Sequence, residues 1–214
     1  DDGGYLLPDC LEDIRYCFSA GVGDKTSFEK HLKKFGIHSF LADFSVENNQ
    51  SMKDFDFEKK FIKSYNSETS WEINEWINKK VKTENKNNLL LQMDIEGSEY
   101  EVINSISEDN LSAFKILIIE FHSLEYAGNH LLNQIINSSL KKLLKEFEIV
   151  HIHPNNWKKL TKINGFNLPS NLEVTFLNKK FVKKKVNIDT LPHRLDRKNV
   201  KQQPDIYLDQ YWYK

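Results

Sequence analysis

Short apolar runs alternate with segments of helical periodicity along the whole chain. Each run is too short for a buried helix and has the length of a buried strand. Strands are therefore predicted at 14–18, 37–44, 89–93, 115–121 and 147–152. The strongest helical stripe lies between the last two and consists of Leu131, Ile135, Ile136, Leu140, Leu143 and Leu144. This alternation predicts an α/β fold with a largely parallel sheet.

The segments between the predicted strands have weaker hydrophobic periodicity. A helix is predicted to begin at Thr26 or Ser27 and to end at Gly36, and another is predicted over 71–81. The segment 47–70 is polar with scattered aromatic residues, which predicts one further strand or a short helix there.

The late part of the chain predicts a hairpin and a tail. The segments 173–177 and 181–186 flank Asn178-Lys179-Lys180 and are predicted to pair antiparallel. There is no internal repeat, and 214 residues are typical of one domain. We expect a single domain over 1–214, with 1–13 as a lead-in and 187–214 as a tail that packs on it.

The stretch from Leu89 to Ile103 has the pattern of a strand, an acidic turn and a helix. The apolar run ends in Asp94 and Glu96, and helical spacing resumes after Gly97, with Glu99 off the apolar stripe. Ligands of open α/β sheets bind where strands end and helices begin. We therefore predict that Asp94 and Glu96 act on a ligand. The alternative for Glu96 is that it caps the helix, whose N-terminus favours an acid.

A glycine turn follows the first predicted strand. Gly21 and Gly23 lie between that strand and a helix, and Asp43 comes 20 residues after Gly23. This is the spacing of a nucleotide-binding turn and a ribose-binding acid. An ordinary strand–helix turn is the alternative. A P-loop is excluded, because Asp24 precedes Lys25 and would repel a phosphate.

Histidines end two of the predicted strands. His122 follows 115–121, and Glu120 lies on the same face of that strand. His122 is the candidate general base, with a structural role as the alternative. His151 and His153 share another strand face and are potential metal ligands, but no pattern of ligands fixes a metal identity. The predicted site residues therefore include no metal ligand.

Composition narrows the class of function. The 30 basic and 31 acidic residues give a net charge of -1, so the protein has no overall positive potential that would attract nucleic acid. The basic cluster at 179–185 is expected to be a solvated hairpin. Two cysteines, Cys10 and Cys17, are too few for a disulfide framework, so we predict a cytoplasmic protein. No apolar run approaches the roughly 20 residues that cross a bilayer, so no membrane partner is expected.

Several motifs, taken together, resemble the FkbM-type S-adenosylmethionine-dependent methyltransferases. The most specific is the Asp-Ile-Glu-Gly-Ser-Glu segment that begins at Asp94. The matching stretches are Phe18-Ser-Ala-Gly-Val-Gly-Asp-Lys-Thr-Ser-Phe-Glu29, Met93-Asp-Ile-Glu-Gly-Ser-Glu-Tyr-Glu-Val102, Ile119-Glu-Phe-His122, His153-Pro-Asn-Asn156, Asp2-Gly-Gly-Tyr5 and Leu172-Glu-Val-Thr-Phe176. They occur in the order that the family has.

The resemblance implies a Rossmann-like, seven-stranded, mostly parallel sheet with helices on both faces and a late antiparallel strand. It also implies S-adenosyl-L-methionine as cofactor and methyl transfer to an oxygen of a sugar or other small metabolite. A small-molecule acceptor is then the expected partner.

The resemblance assigns roles to individual residues. Gly21 and Gly23 would lie against the methionine part of the cofactor, and Asp43 would bind its ribose hydroxyls. Asp94 would sit beside the methionine moiety and the acceptor, with His122 as the candidate base. Glu96 is a further predicted catalytic residue, from its place in the acidic turn and not from the resemblance. Ser19 is a departure, because many methyltransferases have an acid there. Asp94 or Asp2 is therefore expected to contact the cofactor amine.

Two other functions compete with this prediction. An RNA-modifying methyltransferase needs a basic surface, and only the lysines at 179–185 provide one. A nicotinamide-dependent oxidoreductase needs a third glycine after Gly23, where Thr26 or Ser27 stands instead.

Overall fold

A seven-stranded sheet organises the chain. The structure is a computed structural model that describes residues 4–186 and 188–213. Asp2 lies outside these residues, so its predicted contact does too. The strands of the main sheet are β1 (Tyr16–Ala20), β2 (His38–Ala42), β3 (Asp56–Glu58), β6 (Leu89–Met93), β7 (Phe114–Phe121), β8 (Phe147–Pro154) and β11 (Leu172–Asn178). Four shorter strands form two small ribbons, β4 (Phe61–Lys63) with β5 (Ser70–Glu72) and β9 (Thr161–Ile163) with β10 (Phe166–Leu168).

The strand order in the main sheet is β3-β2-β1-β6-β7-β11-β8. The pairs from β3 to β7 are parallel, and β11 is antiparallel to both β7 and β8. The predicted fold class is confirmed, including the single late antiparallel strand. Because β11 is reversed, its first residues lie at the edge where the parallel strands end.

Helices cover both faces of the sheet. They are α1 (Ser27–Lys33), α2 (Ile73–Lys80), α3 (Glu99–Ser105), α4 (Glu108–Ser112) and α5 (His130–Glu146). Alternate residues of β1 face opposite sides, as the two-residue period of a strand requires. Phe18 joins the apolar cluster that contains Trp76 of α2 and Ile136 of α5, whereas Cys17 joins the cluster that contains Leu32 of α1.

The predicted late hairpin is wrong. Residues 179–181 form a short 3-10 helix, and 182–186 have no regular secondary structure. Both edges of β11 are already paired, with β7 and with β8, so neither edge is left for 181–186. Lys179 Nζ instead donates hydrogen bonds to the carbonyl oxygens of Leu144 and Lys145, at the end of α5.

The segment 47–70 contains more strand than predicted. β3 extends the main sheet next to β2, and β4 pairs with β5 outside it. Their sequences are short and mixed in polarity, so they lack the apolar run that reveals a buried strand.

The tail contributes apolar side chains to the core. Leu191, Ile206 and Leu208 are buried and belong to the same cluster as Phe18. The extent of the single domain stays a prediction. Within the described ranges, no helix has both the length and the apolar character that crossing a membrane requires.

Candidate functional site

A cavity of about 450 Å³ opens where β1, β2 and β6 end. Its size falls in the range of small-molecule sites. Five of the predicted residues line it, namely Gly21, Gly23, Asp43, Asp94 and Glu96. Other lining residues are Tyr5, Lys25, Phe28, Glu29 and Gln92. The structure thus brings the glycine turn and the acidic turn together at the edge where α/β proteins bind ligands.

The glycine turn passes very close to the acidic turn. The Gly21 N–H donates to the Ala42 carbonyl (2.9 Å), and a Cβ at Gly21 would lie 1.6 Å from the Asp94 carbonyl oxygen. Gly21 also has φ +74°, a left-handed conformation that favours glycine. No other residue fits this position without moving β1 away from Asp94.

Asp43 ties the end of β2 to the glycine turn. Its Oδ2 accepts a hydrogen bond from the Gly23 N–H (3.0 Å), and its Oδ1 accepts from the Ser45 N–H and hydroxyl (2.8 and 2.7 Å). A carboxylate offers about four acceptor positions. The side chain is therefore fixed in place and keeps an acceptor position for a ligand hydroxyl.

Carboxylates surround the imidazole of His122. Its Nε2 lies 3.6 Å from Asp94 Oδ1, 3.6 Å from Glu96 Oε2 and 3.9 Å from Glu120 Oε1. Its Nδ1 lies 3.0 Å from Glu99 Oε1. The predicted residues Asp94, Glu96 and His122 are therefore neighbours, although their sequence positions alone do not show it.

Glu99 is the site residue that the sequence does not reveal. It is fully buried, and its Oε1 also accepts the N–H groups of Ile95 (3.0 Å) and Gly97 (3.1 Å). The turn that it holds has left-handed backbone at Glu96 and Gly97 (φ 56° and 100°). This turn directs Glu99 inward, whereas the Glu96 side chain is 88% exposed. The two amides that Glu99 binds precede α3, so Glu99 holds the turn that leads into the helix, and the N-cap residue Ser98 makes no side-chain cap hydrogen bond.

The charges around His122 decide its protonation state. Burial alone would lower its pKa, but the hydrogen bond and charge of Glu99, with the charges of Glu120 and Asp94, raise the pKa of His122 from 6.5 to about 9. In the free protein at neutral pH the ring is therefore an imidazolium. Because a carboxylate only accepts, the Nδ1–H is committed to Glu99, and Nε2 is the nitrogen that can exchange a proton.

A buried polar row continues from this cluster across the sheet. Glu120, Glu173 and His153 are register neighbours on β7, β11 and β8. His153 Nδ1 lies 3.2 Å from Glu173 Oε2, and Asn199 of the tail donates to Glu173 Oε1 (2.6 Å). Burial and the charge of Glu173 raise the pKa of Glu120. The row anchors the tail to the sheet.

Within the described part of the chain, one group of side chains could hold a metal ion. Asp94, Glu120 and His122 each offer an oxygen or nitrogen, and these atoms lie within 4.8 Å of one another. Glu120 Oε1, however, already accepts hydrogen bonds from the amides of Asn155 (2.9 Å) and Asn171 (3.1 Å). The two histidines singled out from the sequence contact carboxylates instead: His153 Nδ1 lies 3.2 Å from Glu173 Oε2, and His151 Nε2 lies 2.9 Å from Asp196 Oδ1.

The sequence model of the methyltransferase FkbM domain matches residues 6–166, about three quarters of the chain. The chain belongs to the FkbM methyltransferase family. The match includes the glycine turn, the acidic turn and His122, and it stops before the Leu172–Phe176 segment. No curated protein matches the chain.

Two solved structures show a weak likeness to this FkbM domain. One is described as a fibrillarin/Nop5p complex, with TM-score 0.45, 11% identity, and coverage of 82% of this chain and 77% of that one. The other is described as "Conversion of a Disulfide Bond into a Thioacetal Group during Echinomycin Biosynthesis", with TM-score 0.39, 10% identity, and coverage of 77% and 76%. At these scores neither likeness bears on activity or substrate.

We expect alanine to destabilise the protein by different amounts at the two glycines of the turn. Gly21→Ala should lower the free energy of unfolding by more than about 3 kcal/mol, because the methyl group overlaps a backbone carbonyl in addition to the left-handed strain. Gly23→Ala should cost only about 1 kcal/mol, because space is open at that position and only backbone strain applies. Urea unfolding of both variants measures the difference. Equal losses would contradict the close approach of Gly21 to Asp94.

The environment of His122 predicts a high pKa that depends on Glu99. Nitrogen-15 NMR of the imidazole should show a pKa of about 9 in the free protein. Glu99→Gln should lower this pKa by about 1 to 3 units. Glu101→Gln is the control, because Glu101 lies on the same helix and faces Lys63. A pKa near 6.5 in the wild-type protein would contradict the arrangement.

The same pKa predicts how stability depends on pH. His122 binds its proton more tightly in the folded protein, so its stabilising contribution is complete below pH 6.5 and is lost as the pH rises to about 9. The free energy of unfolding should therefore fall over this interval, and the fall should be smaller in His122→Asn. An identical pH dependence in the variant would assign the effect to other groups.

Proposed function

We propose that this FkbM domain is an S-adenosyl-L-methionine-dependent methyltransferase that methylates an oxygen of a sugar or another small metabolite. The observation that carries the proposal is the cavity in which the glycine turn, Asp43 and Asp94 meet. We also propose that it acts in the cytoplasm, an assignment supported by the free thiols of Cys10 and Cys17.

The residues of the cavity fit a nucleoside with an amino acid attached. Asp43 has an acceptor position left for ribose hydroxyls. Gly21 and Gly23 expose backbone against which an extended ligand can lie. Asp94 and Glu96 supply negative charge at the other side of the same cavity. That charge suits a sulfonium cation, and the bound cofactor would supply an electrophilic methyl group.

His122 is the proposed base for the acceptor hydroxyl. Glu99 orients the ring so that Nε2 points toward Asp94 and Glu96, beside the cavity. As an imidazolium, His122 cannot accept a proton, so it must first lose one. A cation bound next to Asp94 favours that loss, because it offsets the carboxylate charges that raise the pKa of His122.

The alternatives have less support. The acidic residues around His122 would repel an RNA backbone, and the cluster at 179–185 is partly engaged. Lys179 binds carbonyl groups of α5, and Lys185 pairs with Glu148 at 2.9 Å. A nicotinamide dinucleotide would have to place its pyrophosphate beside Asp24 and Asp43, which line the cavity with one lysine, Lys25. The small-molecule methyltransferase remains the proposal.

Calorimetric titration tests the cofactor. S-adenosylhomocysteine should bind with a micromolar dissociation constant, and NADH should not bind. Asp43→Asn should weaken the binding at least about tenfold, because a charge-assisted hydrogen bond is lost. Asp54→Asn is the control, because Asp54 is exposed and pairs with Lys33. Tight NADH binding, or no binding of either ligand, would refute the proposal.

Two substitutions separate binding from chemistry. Asp94→Ala should lose affinity for S-adenosylhomocysteine. His122→Ala should keep the affinity and reduce turnover by about 10² to 10⁴, the usual contribution of a general base. Turnover is followed as S-adenosylhomocysteine formed with an acceptor found in a panel of sugars and hydroxylated metabolites. With that acceptor, wild-type kcat/KM for S-adenosylmethionine should rise with pH toward about 9, because this parameter reports the pKa of His122 in the free protein. Full activity of His122→Ala would exclude the base assignment.

A further inference from the structure

Ser19, Glu29 and Gln92 form a buried hydrogen-bonded group at the wall of the cavity. The Ser19 hydroxyl contacts a carboxyl oxygen of Glu29 and lies 2.7 Å from Gln92 Oε1. All three residues are buried, and Glu29 and Gln92 both line the cavity. Ser19 stands where many methyltransferases have an acid, and Glu29 brings a carboxyl group to the same place from the first turn of α1.

With the Gln92 oxygen oriented toward Ser19, the hydrogen-bond count of this group requires two protons. Gln92 Nε2 donates to the Tyr5 hydroxyl (3.2 Å), so its oxygen faces Ser19. The Ser19 hydroxyl has one proton and two oxygen neighbours, neither of which is a donor if Glu29 is ionised. Both contacts are satisfied when Glu29 is protonated: Glu29 donates to Ser19, and Ser19 donates to Gln92.

The surroundings of Glu29 favour the protonated form. None of the ion pairs in 4–186 and 188–213 involves Glu29, and burial raises its pKa. Burial raises the pKa of the nearby Cys17 thiol in β1, so that thiol stays neutral and offers Glu29 no counter-charge. The other titratable side chains that line the cavity are Tyr5, Asp24, Lys25, Asp43, Asp94 and Glu96.

We propose that Glu29 is uncharged in the free protein and binds the α-ammonium group of the cofactor as a carboxylate, releasing its proton to solvent. This rests on the proposed use of S-adenosylmethionine. The ammonium keeps its own three protons and donates from them. One of these protons can form a hydrogen bond to Glu29. When Glu29 ionises, the Ser19 hydroxyl turns to donate to it, so Gln92 Oε1 no longer accepts from Ser19 and can accept from the ammonium. One proton leaves for each ligand bound.

This assignment changes which acid recognises the amino acid part of the cofactor. The sequence directs attention to Asp94 or Asp2, because Ser19 is not acidic. Glu29 supplies the acid from a helix instead of from the strand. Glu29 is thus a cofactor-binding residue, and its neutral state lowers the free-energy cost of burying it in the free protein.

Proton release during binding is the test. S-adenosylhomocysteine is titrated calorimetrically in buffers of different ionisation enthalpy, from pH 5.5 to 8. The wild-type protein should release up to one proton per ligand at the acid end, and the release should decline as the pH rises. Glu29→Gln should abolish this release and weaken binding at least about tenfold. Gln can donate to Ser19 as the neutral acid does, so the variant should unfold at the wild-type temperature.

Two comparisons isolate Glu29. 5′-Deoxy-5′-methylthioadenosine lacks the ammonium group, so it should bind wild type and Glu29→Gln equally, without the proton release that Glu29 causes. His122→Asn should retain the release. Release that persists in Glu29→Gln and disappears in His122→Asn would overturn the proposal, as would binding of S-adenosylhomocysteine with no proton release at any pH.

A measurement without ligand separates this proposal from the proposed function. Infrared difference spectra of wild type minus Glu29→Gln should show the carbonyl band of a protonated carboxylic acid near neutral pH. Absence of that band would overturn the neutral Glu29 even if the cofactor binds. If the band is present and S-adenosylhomocysteine does not bind, the cofactor assignment fails, and with it the ammonium partner of Glu29.

Discussion

The contact between Gly21 and the Asp94 carbonyl sets the geometry on which the site depends. β1 and β6 are adjacent parallel strands, and each is followed at this edge by a functional turn. A Cβ at Gly21 would lie 1.6 Å from that carbonyl oxygen, so the two turns are as close as backbone allows. Asp43 then ties the third strand end to the glycine turn through Gly23. The cavity is consequently walled by backbone that side-chain motion cannot displace.

Charge is the second constraint. Asp94, Glu96, Glu99 and Glu120 all lie within 4 Å of one imidazole. Among the described residues, no lysine or arginine forms an ion pair with Glu96, Glu99 or Glu120. Buried like charges are costly, and the structure reduces the cost in three ways. His122 keeps a proton, Glu120 is held toward its neutral form by burial and Glu173, and Glu99 binds backbone amides. What remains is a negative environment that favours a cationic ligand and disfavours a polyanion.

The sequence predicts the parts of this site that follow from local pattern. The apolar run of β6 ends just before Asp94, and a strand end in an α/β sheet is where ligands bind, so Asp94 could be assigned to the site from the sequence alone. The spacing of Gly21, Gly23 and Asp43 could be read in the same way. Glu99 could not, because its burial depends on left-handed backbone at Glu96. The prediction of a strand at 181–186 was wrong for a similar reason, because β11 pairs on both of its edges and this pairing depends on the order of the strands in the whole sheet.

Glu29 shows most clearly why the remaining residues of the site could not be predicted from the sequence. Its contact with Ser19 spans 10 residues, but the proton count needs Gln92, which is 73 residues from Ser19. The helical periodicity of the sequence does not distinguish an exposed acid in the first turn of a helix from an acid that is buried in a hydrogen-bonded group. Both Glu29 and His122 hold a proton in the free protein for electrostatic reasons. Glu29 is buried without a cationic partner, and His122 is surrounded by carboxylates. A cation entering the cavity reverses both conditions, so ligand binding and the ionisation of the site are one equilibrium.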